Sequence, residues 1–474
     1  MKRLIILLAA MSVAAGLDAK VTLPSIFGDN MVLQQKAEVA IWGTATGKKV
    51  IIKTGWSRTK TIVTPDADGK WFVRIPTVEA GGPYEMSFSD GEKTVLKNVM
   101  LGEVWLCAGQ SNMVMSMRGF IGQPVEHGAE YILSANPDVP IRLCDIPNKQ
   151  SPVPLPSDSL KTEWKLNSPE VVLRYSSTAY FFARSLQEQL KVPVGVITAD
   201  WGGVTIETWM SKEVIDRDFP GEFDNVVPEV AYPKTPSVLF NGMLAPIIPF
   251  TFKGMIWYQG EDNRLRPAQY TRLQPAFAKM IREVFQNHDA PFYFVQIAPY
   301  AYDGNPRPFT SGYFYEAQAK TVALIPHSGI VPTLDLGVYS SIHPSKKLEV
   351  GQRLAGLALY NDYGYKILNP TAPSYKSVEF EGSEAVITIE NVEWMGLYPG
   401  DTPVGGFEVA GEDKVFHPAE GVAHKYTIRV HSEEVSVPVA VRYCFRNWAE
   451  ATLFSAWGIP LLPFRTDDWD DILE

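Results

Sequence analysis

The sequence predicts an α/β protein in which a mainly parallel, helix-covered sheet is flanked by an N-terminal β-sandwich and a C-terminal β-rich module. Three observations give this prediction. Short β-type runs separated by Asp-Gly turns fill residues 20–97, apolar strand runs alternate with helical periodicity over 98–365, and β-type runs return over 366–474. The alternation in the middle is typical of βαβ units. We therefore expect three modules with these bounds, preceded by a targeting segment at 1–19.

The composition indicates a folded enzyme-sized protein. The chain has 474 residues, 46% of them hydrophobic and 20% charged, enough for several domains of about 100–200 residues. A net charge of -10 without a Lys/Arg cluster argues against nucleic acid as a partner. Three scattered cysteines and seven scattered histidines predict neither a disulfide framework nor a metal site. The sequence gives no indication of an oligomeric partner.

The N-terminus has the pattern of a signal peptide. Basic Lys2 and Arg3 precede the apolar run 4–15, and small residues lead to Ala19. The run is shorter than the roughly 20 residues that a membrane-spanning helix needs, and no cysteine follows it to accept a lipid. We expect cleavage near Ala19, a periplasmic or secreted protein and no membrane insertion.

Secondary structure can be assigned along each module. Continuous apolar runs in the middle module suit strands that are buried on both faces, and apolar residues at helical spacing indicate two amphipathic helices. The predicted strands are 38–42, 49–53 and 70–75, then 103–108, 194–198, 254–258 and 292–297, and finally 385–389, 407–409, 426–430 and 437–443; the predicted helices are 178–190 and 267–285.

The segment 102–113 carries the first candidate for chemistry. A buried strand ends in Gly-Gln-Ser-Asn-Met, which places the hydroxyl of Ser111 at the carboxyl edge of the sheet, where open α/β sheets bind their ligands. The second glycine of the α/β-hydrolase nucleophile elbow is missing, so that fold is not favoured. Taken alone, a serine after a strand is more often a helix N-cap than a nucleophile.

Three more segments complete a pattern. They are Asp200-Trp-Gly-Gly203, Trp257-Tyr-Gln-Gly-Glu-Asp-Asn263 and Ser341-Ile-His-Pro-Ser-Lys-Lys347. With Ser111 they supply Ser, Gly, Asn and His in the order of the SGNH hydrolases, and their longer forms resemble the sialate O-acetylesterase family. Segments 27–34, 439–443 and 463–467 extend the resemblance over nearly the whole mature chain. Gly-Gln-Ser-Asn-Met together with Gln-Gly-Glu-x-Asn is the most specific part.

The resemblance implies an SGNH-type, flavodoxin-like three-layer domain and an exported carbohydrate O-acetylesterase acting on O-acetylated sialic acid. Ser111 would be the nucleophile and His343 the base that takes its proton. The backbone N–H groups of Ser111 and Gly203 and the side-chain amide of Asn263 would bind the oxyanion of the tetrahedral intermediate. No metal or organic cofactor is implied.

One position departs from the family pattern. SGNH enzymes usually carry an aspartate two or three residues before the histidine, but Ser340 and Ser341 occupy those positions here. Asp335, eight residues upstream of His343, or a backbone carbonyl is a possible orienting group. Three other polar side chains beside the motifs are expected to support the site: Gln110, Gln259 and Glu261.

Alternatives remain open at this point. The sugar could be acetylated xylan or another plant glycan, because the loops that select it have no derivable shape. A glycosidase with Glu261 and Asp262 as its carboxylate pair is disfavoured, since adjacent side chains diverge. The serines at 340 and 341 also permit a non-catalytic glycan-binding relative. Aromatic residues beside the motifs, such as Trp201 and Trp257, could stack on sugars but more often fill cores.

Overall fold

The structure is a computed structural model that describes residues 20–227, 231–302 and 309–469. The predicted signal peptide, 1–19, lies outside the described residues. Across the described ranges, no helix is both long and apolar enough to cross a membrane. Cys107, Cys144 and Cys444 are all buried and none of them forms a disulfide bond.

The N-terminal region consists of two small sheets that share one apolar core. β2 and β5 pair as an antiparallel ladder, while β6 joins β3 to the amino-terminal half of β7. The rings of Trp71 in β5 and Phe88 in β6 lie 6.1 Å apart, so the two sheets contact each other. The strands are β1 (Val32–Gln34), β2 (Glu38–Thr44), β3 (Val50–Thr54), β4 (Thr61–Val63), β5 (Lys70–Pro76), β6 (Gly81–Ser89) and β7 (Lys93–Gly109).

β7 continues from the N-terminal region into the sheet of the middle region. It is 17 residues long, and the predicted module boundary at 97/98 falls inside it. The middle region then contains α1 (Ser111–Val114), α2 (Gly128–Leu133), β8 (Ile141–Asp145), β9 (Trp164–Leu166), α3 (Pro169–Val172), α4 (Ser177–Leu190), β10 (Val194–Asp200), α5 (Lys212–Asp218), β11 (Gly254–Tyr258), α6 (Pro267–Val284), β12 (Phe292–Val295), α7 (Thr310–Leu324), β13 (Ser328–Val331) and α8 (Lys347–Asp362).

The central sheet is parallel apart from one edge strand. Its order is β13-β12-β11-β7-β10-β8-β9, and only β9 runs antiparallel to its neighbour along this order. Taken in chain order, β7, β10, β11, β12 and β13 have the 2-1-3-4-5 arrangement of flavodoxin-like sheets, with β8 added beside β10. The carboxyl ends of these parallel strands all reach the same edge of the sheet.

Helices cover both faces of this sheet. Successive strand residues point to opposite faces, and Trp105 of β7 packs in one apolar cluster with α4 and α8, whereas Leu106 packs in another with α6. The region therefore has three layers. The helices predicted at 178–190 and 267–285 are confirmed as α4 and α6. The helix after His343 begins at Lys347.

The C-terminal region is an antiparallel sheet with its own core. The main sheet has the order β14-β15-β19-β18-β17-β20-β22, and β16 pairs with β21. The predicted strand 437–443 is shorter than expected, because Pro438 has no N–H to donate to a ladder. The strands are β14 (Ser374–Glu381), β15 (Glu384–Glu390), β16 (Leu397–Tyr398), β17 (Pro403–Ala410), β18 (Phe416–His424), β19 (Thr427–His431), β20 (Ala440–Tyr443), β21 (Phe454–Ser455) and β22 (Phe464–Arg465).

The C-terminal core also includes a residue of the middle region. Leu334, in the segment between β13 and α8, is 3% exposed and belongs to the same apolar cluster as Phe407 and Tyr443. The Tyr339 ring in the same segment packs edge-on against Trp448 of the C-terminal region. The C-terminal region thus supports the segment that carries His343.

A fully buried ion pair in this region gives a stability prediction. Arg442 binds both carboxylate oxygens of Asp467, at 2.9 and 2.7 Å, and both side chains are 0% exposed. Replacing Asp467 with Asn leaves the buried guanidinium without a counter-charge, so the free energy of unfolding should fall by about 3–5 kcal/mol. Urea unfolding measures this. The matched control is Glu384→Gln, which breaks an exposed pair with Arg429 and should lower it by less than about 1 kcal/mol. Equal losses would contradict the prediction.

Candidate active site

The ends of three neighbouring strands lie level with each other. Gly109, the last residue of β7, is opposite Asp200 of β10 and Tyr258 of β11. A side chain at 109 would place its Cβ 2.1 Å from the carbonyl oxygen of Tyr258, and its φ of 152° also favours glycine. This close approach lets the loops that follow β7, β10 and β11 start at one level of the sheet edge.

Ser111 and Gly203 meet at this edge. Ser111 is the first residue of α1, and a Cβ added to Gly202 would lie 3.5 Å from the Ser111 Cβ. Gly203 has a φ of 68°, the left-handed region that glycine adopts without strain. Within the described residues, neither the Ser111 N–H nor the Gly203 N–H donates a hydrogen bond to a protein acceptor. Both donors are therefore available to a ligand.

The amide of Asn263 is fixed in orientation and retains one donor. Its Oδ1 accepts hydrogen bonds from the backbone N–H of Ile206, at 3.0 Å, and from Gln259 Nε2, at 2.7 Å. Its Nδ2 donates to Glu207 Oε2 at 3.0 Å, and Glu207 is in turn paired with Arg266 at 2.7 Å. Because an amide NH2 has two N–H groups, one is left for a ligand.

Gln110 joins the loops after β7 and β11. Its Nε2 donates to Asp262 Oδ2 at 3.0 Å, and its Oε1 accepts from the backbone N–H of Gly260 at 3.2 Å. Gln259 is fully buried and also donates to the carbonyl of Val204 at 3.1 Å, so it joins the loops after β10 and β11. The three loops are thus connected by side-chain amides.

His343 is held by an amide rather than an acid. Its Nδ1 lies 2.8 Å from Oε1 of Gln123, and Phe120 packs edge-on against the imidazole at 5.0 Å. An Oε1 acceptor requires the proton to be on Nδ1, which leaves the lone pair of Nε2 free to act as a base. Burial, and secondarily the charge of Lys347, lowers the pKa of His343 to about 4.

Asp335 has a different partner. Both of its carboxylate oxygens bind Arg353, at 2.8 and 2.6 Å, and His343 takes Gln123 instead. Ser341 does not replace the missing acid at the ring: its Oγ accepts from the backbone N–H of His343 and donates to the carbonyl of the same residue. The orienting group therefore comes from a segment 220 residues away in sequence.

The adjacent carboxylates of Glu261 and Asp262 face different partners. Glu261 is buried against Nδ2 of Asn112, at 2.5 Å, and burial raises its pKa to about 7. Asp262 accepts from Gln110 and lies 3.5 Å from Nζ of Lys234. The two carboxylates do not face each other across a cleft, as the pair of a glycosidase would. The described residues contain no group of three or more His, Cys, Asp or Glu arranged to hold a metal ion.

Several residues of this site were not found from the sequence. Gln123 and Glu207 lie outside every motif, and only folding brings them to His343 and Asn263. Lys347 did carry a signal, because it belongs to the Ile-His-Pro-x-x-Lys motif, but no role followed from its type. Of the aromatic residues beside the motifs, Trp257 is fully buried in the core and Trp201 is only partly buried.

Comparisons with known proteins show which family this chain is similar to. Residues 101–359 match the family model described as carbohydrate esterase, sialic acid-specific acetylesterase. A carbohydrate acetylesterase from Xanthomonas citri is 32% identical, with a TM-score of 0.86 over 95% of this chain and 100% of that one. The human sialate O-acetylesterase is 26% identical over 471 residues, 90% of this chain and 87% of the human protein. The rat sialate O-acetylesterase is 27% identical over 446 residues, 79% of each chain.

These findings define the class first: the protein is an ester hydrolase whose relatives act on carbohydrates. More narrowly, the chain belongs to the sialic acid-specific acetylesterase family of carbohydrate esterases. The resemblance inferred from Gly-Gln-Ser-Asn-Met and Gln-Gly-Glu-x-Asn is confirmed.

The environment of His343 gives a titration prediction. Because its pKa is lowered to about 4, the imidazole should remain neutral as the pH falls through 6.5, its ordinary pKa, and become protonated only near pH 4. NMR of the histidine ring signals measures this, with His343→Gln to assign the resonance. Gln123→Glu places a carboxylate at Nδ1 and should raise the pKa. Titration near 6.5 in the unmodified protein would contradict the prediction.

Proposed function

We propose that this protein is an SGNH-type carbohydrate O-acetylesterase that removes O-acetyl groups from sialic acid through an acyl-enzyme on Ser111, with His343 as general base. One observation carries the proposal: the nucleophile candidate, two free backbone N–H donors and a pre-oriented Asn263 amide lie at one sheet edge. His343 is tied to the same edge, because the carbonyl of Ile342 accepts a hydrogen bond from Asn112 at 3.1 Å.

The mechanism follows from the chemistry of these groups. Ser111 Oγ attacks the acetyl carbonyl carbon while Nε2 of His343 takes the hydroxyl proton. The oxyanion accepts hydrogen bonds from the N–H groups of Ser111 and Gly203 and from the remaining N–H of Asn263. The imidazolium then protonates the sugar oxygen as the ester C–O bond breaks. Water, deprotonated by the same His343, hydrolyses the acetyl-enzyme and releases acetate.

The role of Gln123 in this mechanism differs from that of a triad aspartate. Its Oε1 holds the Nδ1–H tautomer of His343, which the base needs, but a neutral amide brings no negative charge to the imidazolium. The lowered pKa of His343 keeps the base unprotonated in mildly acidic solution. This supports a hydrolase that works below neutral pH.

Export is part of the same proposal. The basic, apolar and small-residue pattern of 1–19 supports a signal peptide cleaved near Ala19, and thus a periplasmic or secreted enzyme that meets its glycan outside the cytoplasm. N-terminal sequencing of the exported protein tests the cleavage site.

A second substrate, an O-acetylated neutral plant glycan such as xylan, stays open for one reason. The Xanthomonas citri relative is described as a carbohydrate acetylesterase, and that description does not restrict the sugar to sialic acid.

Acetate release tests the function and selects the sugar. The mature protein should release acetate from O-acetylated sialic acid, and Ser111→Ala should lower the rate by about 10³-fold or more, because the nucleophile is lost. Acetylated xylan is assayed in parallel. Release from xylan alone would select the second substrate. Failure on both sugars and on a small activated acetyl ester would indicate a glycan-binding protein without activity.

Tyr232 is placed to contact the sugar. Its ring carbon Cδ1 is 2.5 Å from where a Cβ of Gly203 would lie, and 57% of Tyr232 is exposed. The indole N–H of Trp201 donates to the carbonyl of Ala231 at 3.1 Å and anchors the segment. An exposed aromatic ring beside the oxyanion donors suits stacking on a sugar face.

We therefore expect Tyr232→Ala to raise KM for the sugar ester by about 2- to 12-fold, equivalent to about 0.5–1.5 kcal/mol of lost ring contact. The kinetics of a small acetyl ester, which has no sugar ring, should stay unchanged. Tyr426→Ala is the matched control, because Tyr426 is similarly exposed but lies in the C-terminal sheet region. Equal effects on both substrates would argue against a sugar contact.

A further inference from the structure

A buried polar cluster includes the residue that follows Ser111 and the lysine four residues after His343. It has no part in the proposed proton transfers. It consists of Asn112, Glu261 and Lys347, and we refer to these three side chains as the amide clasp. Asn112 and Lys347 are 0% exposed and Glu261 is 9% exposed. Charged side chains are rarely buried to this extent without a specific partner.

One amide makes all the contacts in the clasp. Nδ2 of Asn112 donates to Glu261 Oε1 at 2.5 Å and to the carbonyl of Ile342 at 3.1 Å, and Oδ1 accepts from Lys347 Nζ at 2.6 Å. Asn112 follows β7, Glu261 follows β11, and Ile342 and Lys347 flank the start of α8. The side chain therefore joins three segments of the site.

The clasp connects the immediate neighbours of both reacting side chains. Asn112 follows Ser111 in sequence, and Ile342 precedes His343. The hydrogen bond from Asn112 to the Ile342 carbonyl thus connects the residue next to Ser111 with the residue next to His343. Lys347 and Glu261 fix the orientation of the Asn112 amide. A lysine cation can only donate and so faces Oδ1, whereas an ionised glutamate can only accept and so faces Nδ2.

The two charges of the clasp are separated by the amide. Burial raises the pKa of Glu261 and lowers that of Lys347, each to about 7. The ring of Tyr258 lies 5.2 Å from Lys347 Nζ and provides the cation with an aromatic face. One carboxylate oxygen of Glu261 has no hydrogen-bond partner among the described residues. Within those residues, Asn112 is thus the one side chain that donates a hydrogen bond to Glu261.

We propose that the amide clasp is a positioning device that sets the Ser111 hydroxyl against the His343 imidazole, with Lys347 as the member that also acts on the histidine through its charge. The proposal rests on the proposed function and deepens it, since it assigns roles to Asn112, Glu261 and Lys347 that the proton transfers do not use.

The electrostatic part of the proposal follows from what surrounds His343. Burial is the larger cause of the lowered pKa of His343, and the positive charge of Lys347, on α8, is the second cause. Gln123 and Phe120, which contact the ring from the opposite segment, are uncharged. Glu261, in the loop after β11, is separated from the His343 loop by the Asn112 amide, and it interacts electrostatically with the same Lys347. Removing the Lys347 charge should therefore leave burial as the remaining cause of the lowered pKa of His343.

The test compares Lys347→Met with Lys346→Met in the full mature protein. Lys346 is the adjacent, partly exposed lysine and takes no part in the clasp. With a small activated acetyl ester as substrate, Lys347→Met should lower kcat by about 10- to 100-fold with little change in KM, because the reacting groups are misplaced. It should also move the acid limb of kcat/KM to higher pH. Lys346→Met should retain both values.

A second variant separates positioning from folding. Lys347→Met leaves Glu261 as an uncompensated buried carboxylate, which could unfold the protein. The double variant Lys347→Met with Glu261→Gln removes that charge, and it should regain thermal stability while kcat stays low. Recovery of kcat in the double variant would overturn the proposal.

Two further outcomes would also overturn it. One is wild-type kcat in Lys347→Met, and the other is a loss of kcat without movement of the acid limb, as a structural role alone would give. Failure of the proposed function itself is recognised separately, by acetate release that Ser111→Ala does not abolish. In that case the NMR titration of His343, which needs no activity, still tests the clasp: Lys347→Met should raise its pKa.

Discussion

The register of β7 against its two neighbours is the constraint on which the site depends. Gly109 pairs with Asp200 on one side and Tyr258 on the other, and it approaches the Tyr258 carbonyl so closely that no side chain fits. A shift of this register by one residue would turn every β7 side chain to the other face of the sheet. The apolar layers on both faces therefore fix the level at which Ser111 leaves the sheet.

Side-chain amides connect the segments of the site. Gln110, Gln259, Asn112 and Gln123 each join two or more loops through side-chain hydrogen bonds. Charged side chains hydrogen-bond to the amides of the site and orient them, as Glu207 does for Asn263. A neutral inner layer is compatible with a weakly basic His343, because among the described residues Gln123, and not a carboxylate, accepts from its Nδ1.

The sequence predicted the parts of this protein that depend on local pattern. α4 and α6 follow from apolar periodicity, and the Ser111 and Asn263 motifs are contiguous with their strands. Partners that are distant in sequence were not predictable, since nothing local indicates that Gln123 reaches His343 across 220 residues. Asp335 was a reasonable candidate on spacing, but Arg353, one helix further on, binds both of its oxygens.

The continuity of β7 has a consequence for how the protein can be divided. Met100 and Leu101 pair with β1, and the preceding residues form the ladder with β6, while the same strand ends at the nucleophile candidate. A recombination breakpoint at residue 98 would cut through this ladder. The N-terminal region of this chain is therefore not an exchangeable domain, and a graft that keeps the sheet intact should transfer residues 20–109 as a unit.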